Sequence, residues 1–440
     1  MPLSRLADGL RDSGLSEREI ARKLELFGRA EAALTSRGVD RASVFYAWVP
    51  GRIEFLGKHT DYAGGRSLLC AIERGFCVVA SPRADGELRV LDVKVGDGAS
   101  LRLDPSAVAP PGHWTNYPLT VARRVASNFG GALVGADVAF ASDLPSAAGI
   151  SSSSAFVVAS FLVLARVNAL AERPEYQQSL STCESLAEYL GAVENGLAYR
   201  GLAGEQGVGT FGGSEDHTAI LCGREHALVQ YSFCPVRHER TVELPPEHTF
   251  MVASSGVAAE KSGAALASYN RLAKLARDGA ARLDGTGGAP SLADALRRAA
   301  LAEAHESLES TIGNAAVAER VRQFAVESDE LVPAAADALA AGDLDRLGRV
   351  VDRSMQNAVA LLHNQIEETI YLARRARELG AVAASAFGAG FGGSVWALVR
   401  SSDADACAGD WLTDYRRAFP ARAERAEVFV TRAAGPSRVF

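Results

Sequence analysis

The chain has 440 residues, more than one ordinary hydrophobic core accommodates, so we expect two domains or one elaborate α/β domain. Apolar residues make up 48% of the chain and charged residues 22%, which is typical of a soluble globular protein. The formal net charge of −7 argues against a protein dedicated to binding nucleic acid or anionic membranes.

The N-terminal stretch and the cysteines indicate a cytoplasmic protein. The stretch up to Phe27 is amphipathic and charged, and it lacks the apolar core of a signal peptide. The longest apolar run, Ala155–Ala165, is too short to span a bilayer. None of the six cysteines forms a C-x-x-C pair, and most lie in apolar or mixed stretches, as buried free thiols do in a reducing compartment.

Hydrophobic periodicity in the first half of the chain predicts helices alternating with strands. Helical spacing covers residues 4–36, 114–128, 151–170 and 181–195. Strand patterns cover residues 44–103 and GADVAFAS, and paired strands are expected over TAILCGREHALVQYSF.

The second half of the chain has a different secondary-structure pattern. After a connection near residues 235–248, TFMVASSGV predicts a strand, residues 260–380 are mostly helical, and strands return toward the end. The order predicts an α+β fold in which mixed β-sheets pack against helices. We place the two domains at residues 1–240 and 241–440.

A run of four serines precedes the most apolar helix. Gly149 permits a sharp turn, and Ser151, Ser152, Ser153 and Ser154 then supply backbone N–H groups at the helix start. Because the helix dipole is positive there, this end can bind an anion, and the hydroxyls add donors for phosphate and an oxygen ligand for Mg²⁺. The alternative is a serine-rich helix cap without a ligand.

Two other glycine stretches fit nucleotide motifs poorly. Gly57-Lys58 is followed by His59, so it is not a Walker A loop. The stretch GAGFGG at 388–393 matches G-x-G-x-x-G by count but leads into a strand pattern, whereas a dinucleotide-binding loop opens a helix. It is either a tight turn or a place where the backbone approaches another loop or a ligand.

Charged residues cluster in two further stretches. GRIEFLGKHTDYAGG, residues 51–65, contains Arg52, Lys58, His59 and Asp61, and such a charged cluster in a loop is usually a solvated turn. His59 and Asp61 could form half of a metal site, but no further ligand spacing supports one. GGSEDH places Glu215 and Asp216 before an apolar stretch, where each is either a solvated turn residue or a buried base.

These stretches, in this order, resemble the GHMP small-molecule kinases and, within them, the galactokinase branch. PSAAGISSSSA is similar to the phosphate loop of the family, GRIEFLGKHTDYAGG to the signature of the branch, and FGAGFGGS to the third glycine motif. GHWTNY, SGVAAEKSGAALASYNR and ALAAGDLDRLGRVVDRSMQNAVALL resemble further elements of the branch, so that the likeness covers most of residues 25–400.

The resemblance implies a two-domain fold with the active site in the cleft between the domains, and transfer of phosphate from ATP to the anomeric hydroxyl of a small sugar. It implies Asp216 as the catalytic carboxylate and Arg52 beside it. The residues implied to contact the sugar are Lys58, His59, Asp61, Gly213 and Tyr269. Those implied to bind ATP are Trp114, Gly149, Ser151, Ser152, Ser153, Ser154, Gly390 and Gly392, and those implied to hold Mg²⁺ are Ser153 and Glu194. The resemblance also implies that Gly390, Gly392 and Gly393 let the C-terminal loop approach the phosphate loop and the sugar.

The chemistry suits these roles. Phosphoryl transfer depends on positioning and on neutralising charge. A carboxylate within hydrogen-bond reach can orient a sugar hydroxyl and accept its proton, which contributes roughly 10²–10⁴-fold. A neighbouring arginine keeps that carboxylate ionised and offsets charge on the phosphoryl group.

Three positions depart from the pattern of the family. Ala147 stands where the family has glycine in the phosphate loop. Glu194 matches an acid-asparagine motif but lies farther upstream than usual, and Glu205 has the better spacing, so both are candidates for Mg²⁺.

The third departure is Lys58, where the branch carries a glutamate that the resemblance places at the sugar C6 hydroxyl. A lysine there favours an anionic substituent, or it points into solvent and leaves galactose binding intact. We therefore keep galacturonate, arabinose and N-acetylgalactosamine as alternative substrates. A kinase of mevalonate type and a non-catalytic ATP and sugar sensor are alternative functions. We expect a monomer.

Overall fold

A computed structural model of the chain describes residues 3–108, 113–145, 148–258, 263–284, 291–299 and 312–440. It has the predicted α+β architecture, with two β-sheets packed against helices. The strands are β1 Phe45–Leu56, β2 Arg66–Pro82, β3 Glu87–Asp92, β4 Gly98–Arg102, β5 Ala136–Ser142, β6 Ala227–Ser232, β7 Arg237–Glu243, β8 His248–Ser254, β9 Ala383–Phe387, β10 Ser394–Arg400, β11 Glu427–Thr431, β12 Ala433–Ala434 and β13 Arg438–Val439.

The described helices fall into two groups along the chain. Those before β6 are α1 Leu3–Arg11, α2 Glu17–Thr35, α3 Asn116–Asn128, α4 Ser152–Val167, α5 Pro174–Ser179, α6 Cys183–Asn195 and α7 Glu215–Cys222. Those after β8 are α8 Gly263–Asp284, α9 Leu292–Ala299, α10 Ala315–Ala325, α11 Val332–Ala340, α12 Leu344–Asn357, α13 Glu367–Glu378 and α14 Ala404–Ala418. Within these ranges, no helix is long and apolar enough to cross a membrane.

The larger sheet is built on two long antiparallel strands, β1 and β2. Its main path runs β13-β1-β2-β5-β3-β4, and β6 and β12 also pair with β2. The pairing of β3 with β5 is parallel and the others are antiparallel, so the sheet is mixed. Every residue of β1 is buried, as expected for a strand that is covered on both faces.

The smaller sheet has the order β11-β8-β10-β9 and is antiparallel throughout. The two sheets share one hydrophobic core, in which the rings of Phe55 on β1 and Trp396 on β10 stack with centroids 4.1 Å apart. This contact brings the end of β1 close to the β9–β10 turn, which carries the third glycine motif.

The end of the chain returns to the larger sheet. β12 pairs with β2, and β13 pairs with β1. The expected domain division at 240/241 lies inside β7, and it remains a prediction.

One predicted strand is a helix. The segment Glu215–Cys222 forms α7, although its apolar residues were expected to form the first of two paired strands. Seven of its eight residues are buried, and a short segment buried all round has no periodicity that separates a helix from a strand. The consequence for the site is that Glu215 and Asp216 lie in the first turn of a helix.

Candidate active site

A pocket lies where β1, α6, α7, α8 and the β9–β10 turn meet. This position between the two sheets agrees with the cleft expected from the sequence. The described residues lining it are Arg52, Glu54, His59, Asp61, Tyr62, Ser154, Glu194, Asn195, Thr210, Gly212, Gly213, Glu215, Asp216, His217, Tyr269, Gly388 and Ala389.

A partly buried ion pair links two of the predicted catalytic residues. Arg52 is only 4% exposed, and its Nε and Nη2 both lie 2.8 Å from Oδ1 of Asp216. Its Nη1 donates to the backbone oxygen of Gly149 at 2.7 Å. One guanidinium therefore joins the first turn of α7 to the phosphate loop.

The charge of Arg52 is maintained by its neighbours. Burial by itself lowers the pKa of this guanidinium, but the carboxylates of Asp216, Glu54 and Glu215 outweigh burial and raise the pKa above its usual value. Arg52 is thus a permanent cation in the wall of the pocket, where it can offset charge on a moving phosphoryl group.

Ser154 connects the candidate base to the candidate metal ligand. Its Oγ is 2.9 Å from Oε2 of Glu194 and 3.2 Å from Oδ2 of Asp216. Nε2 of His217 also lies 3.2 Å from Oε2 of Glu194. A hydroxyl and two carboxylates converging at this point form the oxygen-rich donor set that suits Mg²⁺.

The candidates for the metal ligand differ in their position relative to the pocket. Glu194 lines the pocket, whereas Glu205 and Ser153 are not among its described lining residues. The serine whose hydroxyl contacts Glu194 on α6 is Ser154, in the first turn of α4, and not Ser153 as expected.

The loop before α4 has the features of an anion site. Gly149 has φ +71°, and Ser151 caps the helix in a left-handed conformation with φ +60°. The Oγ of Ser151 is buried and has no hydrogen-bond partner in the part of the chain that the structure describes. An unpaired buried hydroxyl beside free helix N–H groups fits phosphate oxygens. Ala147 lies outside the described residues.

The third glycine motif reaches the phosphate loop through its first glycine. A Cβ on Gly388 would lie 2.8 Å from the backbone oxygen of Gly149, and Oγ of Ser394 donates to the backbone oxygen of Ala148 at 2.7 Å. Gly388 also donates its N–H to Oε2 of Glu54 at 3.2 Å.

The later glycines of the motif pack elsewhere. A Cβ on Gly390 would meet the backbone oxygen of Asn364 at 2.3 Å, and one on Gly392 would meet that of Val257 at 2.8 Å. We expected Gly390, Gly392 and Gly393 to bring the motif close to the phosphate loop, but Gly388 makes that contact.

Three aromatic rings form one side of the pocket. His59 bonds through Nδ1 to the Tyr62 hydroxyl at 2.9 Å and through Nε2 to the backbone oxygen of Ala389 at 3.1 Å. The ring of Tyr269 lies 5.3 Å from that of His59. Burial is the main cause that raises the pKa of the Tyr269 hydroxyl well above its ordinary value, so this group is a neutral donor.

Asp61 and Gly213 lie against each other beside the first turn of α7. Oδ2 of Asp61 accepts the N–H of Glu215 at 3.3 Å. A Cβ on Gly213 would lie 2.3 Å from the same oxygen, so any larger residue would displace Asp61. The predicted sugar-contacting residues His59, Asp61, Gly213 and Tyr269 are therefore brought together in one pocket.

Sequence comparison identifies the family. The chain matches the galactokinase galactose-binding signature at residues 38–82, the GHMP kinase N-terminal domain at 116–223 and the GHMP kinase C-terminal domain at 335–416. The galactokinase of Roseiflexus sp. (strain RS-1) is 31% identical over 401 residues, which is 89% of this chain and 92% of that protein. The chain belongs to the galactokinase branch of the GHMP kinase family.

Other relatives agree with this placement. The galactokinase of Streptomyces coelicolor is 30% identical over 367 residues, 81% of this chain and 85% of that protein. Lactococcus lactis galactokinase complexed with galactose has the same fold, with a TM-score of 0.76 at 21% identity over 92% of this chain and 99% of that chain. A mevalonate kinase superposes with a TM-score of 0.54 at 13% identity, over 89% of this chain and 99% of that chain.

As a member of this branch, the protein is an ATP-dependent sugar kinase that acts on the anomeric hydroxyl. Of the residues that the resemblance implied, those that line the pocket are Arg52, His59, Asp61, Ser154, Glu194, Gly213, Asp216 and Tyr269. The implied residues outside its described lining include Trp114 and Lys58.

Trp114 lies away from the pocket wall. Its Nε1 donates to Oδ2 of Asp97 at 2.8 Å, and its ring is 6.0 Å from that of Phe156 on α4. The ring packs against the helix that carries the phosphate loop, and its place beside the adenine of ATP remains a prediction.

Lys58 lies behind the pocket. It is 1% exposed, so the expectation of a solvent-facing lysine is wrong, and its Nζ donates to Oγ of Ser354 at 3.0 Å. Ser354 in turn donates to Oε1 of Glu327 at 2.9 Å. Lys58 is not among the described lining residues, because the helical segment of the second half draws its side chain away.

Glu54, Ser67 and His217 are parts of the site that the sequence analysis did not identify. Glu54 lines the pocket, His217 contacts Glu194, and Ser67 donates to Oε2 of Glu215 at 2.9 Å. The signal for Glu54 was its spacing, because residues i and i+2 of a strand share a face and Arg52 was already a candidate.

Proposed function

We propose that this sugar kinase phosphorylates galactose, with Asp216 as the catalytic carboxylate. The observation that carries the proposal is the partly buried Arg52–Asp216 pair, whose arginine also donates to the backbone oxygen of Gly149. It puts a base, a cation and the phosphate loop in contact at the edge of the predicted sugar pocket. The similarity of the chain to galactokinases supports galactose as the substrate.

In this proposal Asp216 orients the anomeric hydroxyl and accepts its proton. The sugar oxygen forms a bond to the terminal phosphorus of ATP while the bond between that phosphorus and the leaving oxygen of ADP breaks. Arg52 offsets the negative charge on the transferred group. His59, Asp61 and Tyr269 supply hydrogen bonds to other sugar hydroxyls and set the orientation of the ring.

The residues present also fit Mg²⁺. Ser154 and Glu194 would hold it beside Asp216, and the ion would neutralise phosphate charge when bound. We further propose that the protein is monomeric and cytoplasmic, as the sequence analysis expects; size-exclusion chromatography with light scattering tests the first point.

The test is ADP release by the purified protein with Mg-ATP and galactose, N-acetylgalactosamine, galacturonate, arabinose or glucose. We expect turnover on galactose and a loss of kcat of about 10²–10⁴-fold in Asp216→Asn. Asp337→Asn, which alters an exposed ion pair with Arg240, is the matched control and should retain activity. Absence of galactose turnover by the folded wild-type protein would refute the proposal.

A sugar sensor predicts a different result. A sensor would bind ATP and galactose without releasing ADP, and Asp216→Asn would leave its binding constants unchanged. The position of Arg52 favours the kinase, because its guanidinium contacts both the proposed base and the phosphate loop, where charge moves during phosphoryl transfer.

A further inference from the structure

Glu54 places a carboxylate in the wall of the pocket with one oxygen unused. The residue lies on β1 and is 3% exposed. Its Oε2 accepts the N–H of Gly388 at 3.2 Å, whereas its Oε1 is buried with no hydrogen-bond partner among the described residues. A buried acceptor without a donor is destabilising, and a ligand that donates a hydrogen bond removes that cost.

Two cations flank this carboxylate. Burial raises the pKa of Glu54 to about 7, and two cations oppose that rise: Lys58, and Arg52 two residues away on the same face of β1. Lys58 is held in place by Ser354 at 3.0 Å, and Glu327 accepts from both Ser354 and the backbone N–H of Lys58. The buried lysine thus stabilises the ionised form of Glu54 from behind the pocket.

The pocket as a whole is acidic. Five of its described lining residues carry carboxylates, and the one arginine among them is paired with Asp216. When Glu54 is ionised, its unpaired oxygen would repel a sugar with an anionic arm at this wall and would accept a hydrogen bond from a sugar hydroxyl.

We propose that Glu54 is a specificity-determining residue that accepts a hydrogen bond from a hydroxyl of the sugar. Lys58 acts as a positioning residue whose positive charge favours the ionised form of the carboxylate. The carboxylate that the branch carries at position 58 is replaced here by one at position 54, so the enzyme selects a neutral sugar and rejects galacturonate. This inference deepens the proposed function and rests on it.

The test compares kcat and KM for wild type, Glu54→Gln and Glu54→Ala on galactose, on its 2-, 3-, 4- and 6-deoxy analogues and on galacturonate. Losing a hydrogen bond to a charged acceptor predicts a rise of KM for galactose of about tenfold or more in Glu54→Ala, with kcat within about threefold. The deoxy sugar that lacks the recognised hydroxyl should show no such rise, because it has no contact to lose. Galacturonate should be at least about tenfold poorer than galactose in kcat/KM with the wild type and should improve in Glu54→Gln.

A matched control separates recognition from structure. Glu73 on β2 is also 3% exposed, and its carboxylate accepts the backbone N–H groups of Ser16 and Arg432 outside the pocket. Glu73→Gln should leave KM for every sugar unchanged. Thermal unfolding of each variant shows which are folded at the assay temperature, and Glu54→Gln retains the shape of the side chain if Glu54→Ala does not fold.

Three results would overturn the inference while leaving the proposed function intact. The first is an equal loss on all sugars in Glu54→Ala, which would indicate a structural role. The second is an unchanged KM in both Glu54 variants, and the third is a wild-type preference for galacturonate over galactose. The last comparison needs no variant, so the inference is testable even if both substitutions prevent folding. Failure of the proposed function is distinct, since the wild type would then not phosphorylate galactose.

Discussion

The hydroxyl of Ser154 lies 2.9 Å from Oε2 of Glu194, across the interface between α4 and α6. The same hydroxyl is 3.2 Å from Asp216 in the first turn of α7. Side chains from three helices that are separated along the chain thus meet at the edge of the phosphate loop. A metal ion held by Ser154 and Glu194 would therefore lie beside the proposed base.

Ser154→Ala should impair Mg²⁺ use more than Ser153→Ala. Removing the hydroxyl that contacts Glu194 deletes one oxygen of the proposed donor set. We therefore expect a higher Mg²⁺ concentration at half-maximal rate and a fall in kcat of no more than about tenfold. A titration of activity with Mg²⁺ at fixed ATP measures both. A larger effect in Ser153→Ala would favour the assignment made from the sequence.

The glutamate candidates can be compared in the same titration. Glu194→Gln should raise the Mg²⁺ requirement, since Glu194 lines the pocket, and Glu205→Gln should leave it unchanged. The opposite ranking would show that the spacing of Glu205 was the better guide.

Arg52→Lys should reduce kcat by about a hundredfold despite conserving the charge. An ammonium cannot reproduce the guanidinium contacts to Asp216 and to Gly149 at the same time. Steady-state kinetics on galactose measures the effect, and KM should change little. Arg66→Lys is the control, because Arg66 pairs with Glu239 at the surface. An Arg52→Lys enzyme as active as this control would contradict the role of the guanidinium contacts.

Gly388→Ala should reduce activity through the phosphate loop. The added Cβ would lie 2.8 Å from the backbone oxygen of Gly149, and the residue has φ +78°. Gly380 has φ +94° with no described atom within 4 Å of an added Cβ, so Gly380→Ala carries a similar backbone strain without the clash. We expect KM for ATP to rise in Gly388→Ala alone, and equal kinetics in the two variants would show that the close approach is unimportant.

Replacement of Glu54 should change how stability depends on pH. Burial raises the pKa of Glu54 to about 7 from an ordinary value of 4.5, with Lys58 and Arg52 opposing the shift and Glu327 adding to it. Between these two values the folded protein binds the proton more tightly than the unfolded chain, so the contribution of Glu54 to stability falls as pH rises from about 4.5 to 7.

Glu54→Gln removes this pH-dependent contribution to stability. Relative to the wild type, the variant should gain free energy of unfolding between pH 5 and pH 8, by at most about 3 kcal/mol. Denaturant unfolding at several pH values measures the difference, with Glu73→Gln as the control. Parallel profiles for Glu54→Gln and the wild type would contradict the shifted pKa.

The site shows where sequence reasoning stops. The chemical type of each motif could be inferred from the sequence, because a serine run at a helix start and a loop containing His59 and Asp61 have few chemical uses. The directions of the side chains could not be inferred. Lys58 was expected at the substrate or in solvent, but Ser354, nearly 300 residues later, holds it in the interior.

The sequence by itself determined the family, the α+β class and the set of groups that phosphoryl transfer needs, because these follow from local patterns and from their order along the chain. Tertiary structure alone decided that Gly388 approaches Gly149, that Ser154 meets Glu194 and that Glu54 faces the pocket. Each of these contacts joins segments far apart in the chain, and the shared core of the two sheets sets their geometry. Periodicity within one segment carries no information about such a distance.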